Sequence, residues 1–104
     1  MFPIALIHIN QDNFDALINQ SEKRVLLDLW APRCSHCLRI GPIIEEIANE
    51  RDDILVAMLN VDENKELSRS LRIVGIPTVI LFENGQKVAS CIGYQPKEEI
   101  LKLL

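Results

Sequence analysis

Apolar and polar positions along this chain follow two rhythms: short continuous apolar runs, and longer stretches with apolar residues three or four apart. IALIHI at residues 4–9 predicts a strand, and VLLDLW at 25–30 predicts a strand buried on both faces. Between them, Asn10 is placed to cap a helix carrying Phe14, Leu17 and Ile18 on one face. Ile40, Ile43, Ile44, Ile47 and Ala48 recur at helical spacing, with Glu45, Glu46, Asn49 and Glu50 opposite, the pattern of an amphipathic helix. ILVAMLNV at 54–61 predicts a third strand, and NKELSRSL at 64–71 a short helix. TVILF and KVASCI flank ENGQ, whose Asn-Gly is a strong hairpin signal. Pro96 then opens a terminal helix carrying Ile100, Leu101 and Leu104.

The predicted order is β-α-β-α-β-α-β-β-α. Strands alternating with helices imply an α/β fold whose mainly parallel sheet is covered on both faces, and the closing hairpin adds an antiparallel edge. No repeat, low-complexity tract or Gly/Ser linker interrupts the series, and 104 residues suffice for one core. One domain spanning residues 1–104 is expected.

Composition removes several function classes. Hydrophobic residues make up 48% and charged residues 25%, so disorder is not expected. The formal net charge is −4 with acids and bases interspersed, which argues against nucleic acid as a partner. The first apolar run has no Lys or Arg before it, and no stretch approaches the roughly 18 apolar residues of a membrane span. The expectation is a cytoplasmic chain with no membrane partner, although a mature secreted form would look the same.

The three cysteines do not make a disulfide framework, because two of them form the Cys34-x-x-Cys37 pair. That pair stands where a buried strand ends and an amphipathic helix begins. A cysteine there faces unpaired backbone N–H groups and the positive end of the helix dipole, both of which favour thiolate. Thiolate is the attacking species in disulfide exchange, and a second cysteine about one turn later can displace the first. Two alternatives stay open. A metal site would have to draw on Cys91, His8 and His36, with His36 lying between the two cysteines. A permanent structural disulfide would close so short a loop that it constrains little of the unfolded chain. Redox exchange is the reading that the spacing and placement favour.

Several separated motifs now carry a resemblance. VLLDLWAPRCSHC, GPIIEEIA, LNVDEN, VGIPTVILFENG and IGY follow one another in the order of the thioredoxin family, over almost all of the chain. The resemblance implies the thioredoxin fold, a central mixed but mostly parallel five-stranded sheet flanked by helices on both faces. It also implies reduction of protein disulfides, with Cys34 attacking and Cys37 resolving. No bound cofactor is implied beyond a redox-active Cys34–Cys37 disulfide. The partners implied are disulfide-containing proteins and a thioredoxin-reductase-like electron donor, served by a monomer.

Asp28 stands out before any resemblance is invoked. It interrupts an apolar strand on the same face as Leu26 and Trp30. The bland reading is a residue reaching water. If buried, its carboxylate is costly to ionise, titrates at raised pH, and can take the Cys37 proton. The resemblance supports that second role. It also implies a cis peptide at Pro77, opposite the cysteines, where neighbouring backbone pairs with an extended substrate segment. Gly75, Ile76, Gly93 and Trp30 then frame the groove, though Gly93 is equally suited to a plain turn. Pro42 either kinks the long helix or starts a fresh one after Gly41; the resemblance favours the kink.

The departures concern redox poise. Ser35 and His36 replace the family's usual Gly-Pro between the cysteines, and Arg33 replaces its Trp. Met58 stands where many thioredoxins have a lysine paired with the buried Asp. His36 favours a more oxidising isomerase or oxidase, whereas Ile76 before the proline is the thioredoxin-like choice. A non-catalytic thioredoxin-fold module, binding metal or serving interaction with its cysteines idle, is a further alternative. Cys91 is expected to be a packing residue, with a regulatory thiol as the alternative, and His8 to have no role.

Overall fold

The structure is a computed structural model and describes residues 6–104. Five strands alternate with helical segments: β1 (Leu6–Ile9), β2 (Arg24–Trp30), β3 (Ile54–Asn60), β4 (Thr78–Glu83) and β5 (Gln86–Ile92). The helices are α1 (Ser35–Glu50), α2 (Lys65–Ser70) and α3 (Lys97–Leu101). Residues 4 and 5 of the predicted first strand lie outside the described residues.

The strand order is β1-β3-β2-β4-β5. β1, β3 and β2 run parallel, while β4 pairs antiparallel with β2 and β5 antiparallel with β4. The sheet is therefore mixed, as expected, and the hairpin supplies two of its four pairings rather than only an edge. This topology gathers the carboxyl ends of β2 and β3 and the amino end of β4 at one rim. Leu29 pairs with Thr78 there, so Pro77 arrives beside the end of β2.

The sheet separates two apolar cores. On one face Ile40, Ile44 and Ile47 of α1 and Ile100 of α3, all fully buried, pack against Leu26, Val56, Val79 and Leu81. On the other, Ile18 packs with Val25, Leu27, Leu29, Leu59 and Ile80, with Phe14, Leu17, Leu67 and Leu71 at its margin. β2 feeds both layers, which is why its run is apolar at successive positions.

Two local outcomes differ from, or decide between, the expectations. The segment after β1 is a π-helical turn, Asp15–Asn19, not an α-helix. Its wider hydrogen bond runs from Gln20 N–H to the Asp15 carbonyl (3.0 Å), and Asn19 Nδ2 donates to the Asp15 carboxylate. Asn10 does not cap it: the N-cap is Phe14, without a side-chain hydrogen bond, and the Asn10 side chain instead accepts the N–H groups of Asp12 and Asn13 at 2.8 and 3.0 Å in the preceding turn. Secondly, α1 runs unbroken through Pro42, so no new helix starts at Gly41. The hairpin turn forms as its residues require: Asn84 and Gly85 both have positive φ, 54° and 76°, as in a type I′ turn. A Cβ on Gly85 would also lie 3.0 Å from the Asn19 carbonyl oxygen, so this glycine is needed for space as well as for twist.

Candidate functional site

At the rim where β2 ends, Ala31 is buried and its carbonyl accepts the Cys34 N–H at 3.1 Å, turning the chain into α1. Cys34 is the N-cap of that 16-residue helix. Its Sγ accepts the backbone N–H of Cys37 at 3.2 Å, a contact that stabilises negative charge on this sulfur. The Cys34 thiol also faces the Ile76 carbonyl, 3.9 Å away. Both site cysteines, and Cys91, are free thiols.

The two site cysteines differ in exposure. Cys34 is half-buried, whereas Cys37 is closed off from solvent. Burial, and in second place its hydrogen bond with Cys34, push the Cys37 thiol up to about 12. The charge of Asp28 adds to that rise. Asp28 is itself fully buried, and neither carboxylate oxygen has a hydrogen-bond partner among the described residues. Desolvation lifts its carboxyl from 3.8 to about 7. Across the sheet, His8, Met58, Asp28, Val79 and Cys91 form one register row. Met58 therefore stands directly beside Asp28, and Cys91 is two strands away. Burial, with a smaller share from Asp28, raises the Cys91 thiol.

Ile76–Pro77 is cis, as the resemblance implies. Pro77 is buried, and its carbonyl accepts the Gly93 N–H at 2.7 Å, with Gly93 at φ 84°. Gly75, Ile76, Pro77, Gly93 and Cys34 are thus brought together. Trp30, at the end of β2, lines a cavity of about 150 Å³ with His8, Met58 and Asn60, and its buried Nε1 has no partner among the described residues. Ser35 and His36 are exposed on the first turn of α1.

Arg33 has a partner that sequence reasoning missed. Its Nε and Nη2 donate to the Asp62 carboxylate at 3.1 and 3.0 Å, a pairing that offsets its positive charge. The strand register carried the signal: Trp30 pairs with Asn60, so the residues just past β2 and β3 must be neighbours. Val74 and Ile92 were also missed. They are 86% and 52% exposed, and a Cβ on Gly75 would come within 3.9 Å of the Ile92 side chain, so Ile92 lies beside Gly75 as an apolar border. Among the described residues no three of His, Cys, Asp and Glu stand close enough to share a metal ion. None of the described helices is long and apolar enough to cross a membrane.

Fold and site together define a dithiol oxidoreductase: a solvent-reachable thiol at a helix N-cap, a buried second thiol three residues on, and a cis-proline facing them. Comparison with known proteins agrees. The Thioredoxin family model matches residues 5–104. The thioredoxin of Alicyclobacillus acidocaldarius subsp. acidocaldarius is 44% identical over 97 residues, covering 92% of this chain and 91% of that protein. That of Mycobacterium tuberculosis (strain ATCC 25618 / H37Rv) is 42% identical over 101 residues, covering 96% and 87%. A bifunctional thioredoxin reductase/thioredoxin of Mycobacterium leprae (strain TN) is 41% identical over 97 residues, covering 92% of this chain and 21% of that protein. The chain belongs to the thioredoxin family, and it is a thiol–disulfide oxidoreductase of the disulfide-reducing kind.

Proposed function

We propose that the chain, acting as one domain and as a monomer in the cytoplasm, reduces protein disulfides through Cys34 and Cys37. The Cys34 thiolate attacks one sulfur of the substrate disulfide. A Cys34–substrate bond forms, and the other substrate sulfur leaves as thiolate. Cys37 then gives its proton to the Asp28 carboxylate and attacks Cys34 Sγ. The Cys34–Cys37 disulfide forms, the second substrate thiolate departs, and two electrons have moved to the substrate.

The observation that carries this reading is the asymmetry of the pair. Cys34 is reachable and receives a backbone N–H, while Cys37 is buried under the influence of an unpartnered carboxylate. A carboxyl near 7 is about half ionised at neutral pH, which suits a group that must accept and then return a proton. Ile76, Pro77 and Gly93 offer backbone to an extended substrate, bordered by Val74 and Ile92, and Trp30 supports this rim from its neighbouring cavity. Ser35, His36 and Arg33 set the poise. No cofactor is needed beyond the Cys34–Cys37 disulfide. Electrons return from a thioredoxin-reductase-like donor, a partner supported by the relative that carries both names on one chain. The more oxidising alternative rests on His36, since the Arg33 charge is shared with Asp62.

The test is reduction of a protein disulfide such as insulin's, with a dithiol as electron source and no added metal. Wild type is expected to turn over and Cys34→Ser to be inactive. Turnover by Cys34→Ser contradicts the reading.

A further inference from the structure

An open cavity of about 390 Å³ lies beside Ile76, lined by three cations, Arg33, Lys65 and Arg69, and one carboxylate, Asp62. Asp62 is engaged by Arg33. Lys65 and Arg69 make no ion pair among the described residues. They stand four residues apart on α2, hence on one helix face. The lining therefore carries a surplus of two positive charges on a chain whose formal net charge is −4. Ile73 and Ile76 supply apolar wall between those cations and the cysteine rim. Cys34 does not itself line the cavity, but two lining residues adjoin it: Arg33 precedes it in the chain, and its thiol lies 3.9 Å from the Ile76 carbonyl.

We infer that this cavity is a specificity pocket for a carboxylate that the protein substrate carries one or two residues from the cysteine attacked by Cys34. The inference rests on the exchange reading above. An extended residue advances about 3.3 Å, so a side chain flanking a disulfide docked at Cys34 comes within reach of the pocket. A glutamate's methylenes would lie along Ile73 and Ile76 while its carboxylate meets Lys65 and Arg69 through charge-assisted hydrogen bonds. A lysine in that position would meet like charge, so the pocket rejects as well as attracts.

The same carboxylate chemistry occurs on a small γ-glutamyl disulfide, and the experiment separates the two sources. Pre-reduced full-length protein is oxidised in single turnover by disulfide-cyclised peptides that differ only in a Glu, Gln or Lys beside one cysteine, and in parallel by oxidised glutathione. Wild type is compared with Lys65→Gln, Arg69→Gln and the double variant, whose positions are exposed. The Glu peptide should react about three- to tenfold faster than the Gln peptide in wild type, the Lys peptide slowest, with the preference shrinking as salt is raised. The double variant should lose the preference, so that the Glu and Gln peptides react with it at nearly the same rate. Equal rates for Glu and Gln peptides in wild type, or a preference that survives the double variant, overturn the pocket alone. Dependence on Lys65 and Arg69 seen with oxidised glutathione and not with the Glu peptide overturns the assignment to protein substrates. Failure of every disulfide to oxidise the wild-type protein overturns the exchange reading, and the pocket with it.

Discussion

Asp28 lies in the middle of β2 with no exposed surface and no partner for either oxygen, whereas Asp62, just beyond β3, is gripped by two Arg33 nitrogens and keeps about a third of its side chain in water. Both bear on the same pair of cysteines. Asp62 acts through geometry, since it aims a cation that would otherwise be free to lie over Cys34. Asp28 acts through its own protonation, because dry surroundings bring its carboxyl to about 7 and raise Cys37 as well. A carboxylate with a partner positions its neighbour. One without a partner becomes a proton acceptor at the working pH, at a cost to the fold.

That contrast is open to test at Asp28 first. Asp28→Asn should slow exchange near neutral pH by roughly ten- to a hundredfold, the scale of general-base effects. It should also stabilise the protein, with a sign fixed by linkage. A carboxyl near 3.8 in the unfolded chain and near 7 in the folded one is destabilising when ionised, so the penalty grows between those two pH values and is complete above them. It amounts to roughly 4 kcal/mol as an upper figure. Urea unfolding at pH 8 should therefore favour Asp28→Asn, and at pH 3 the two proteins should be nearly equal. An unchanged exchange rate across pH 6 to 9 would reject the proton-acceptor role.

Giving Asp28 the kind of partner that Asp62 has should narrow the difference. Met58 is its register neighbour, so Met58→Lys brings an ammonium to the buried carboxylate and lowers its titration midpoint by about one unit or more. The pH profile of the resolving step should move toward acid by the same amount; a profile that stays in place separates Asp28 from that step.

At the paired end the effects are expected in the redox potential. His36→Pro, tolerated in the first turn of a helix, should lower the potential by about 20 to 40 mV. Asp62→Asn should raise it by roughly 10 mV, because the released Arg33 favours the reduced thiolate. Equilibration with glutathione at one pH measures both. A potential that falls in Asp62→Asn means that Arg33 does not act on Cys34.

The same contrast explains what could be read from the residues alone. Asp28 was visible because an acid in an apolar strand breaks a local pattern. The Asn84-Gly85 turn, the amphipathic face of α1 and the Cys-x-x-Cys at its start are likewise local, and the structure contains all of them. The Arg33–Asp62 pair links residues 29 positions apart, and only the parallel pairing of β2 with β3 brings them together. The π-helical turn was hidden for a related reason: Phe14, Leu17 and Ile18 keep their inward face under either helical pitch, so the apolar pattern does not distinguish them. The cavity that Trp30 shares with His8 and Met58 was hidden as the Arg33–Asp62 pair was, since it is assembled by the pairing of β1, β3 and β2.

The division of labour between the cysteines is tested most directly by trapping. Cys37→Ser, mixed with a disulfide-bonded substrate and analysed intact by mass spectrometry, should accumulate a mixed disulfide joined through Cys34. Cys34→Ser under the same conditions should accumulate none. An adduct carried by Cys37 in the Cys34→Ser protein, with none on Cys34 in its counterpart, would reverse the assignment of attacking and resolving thiols.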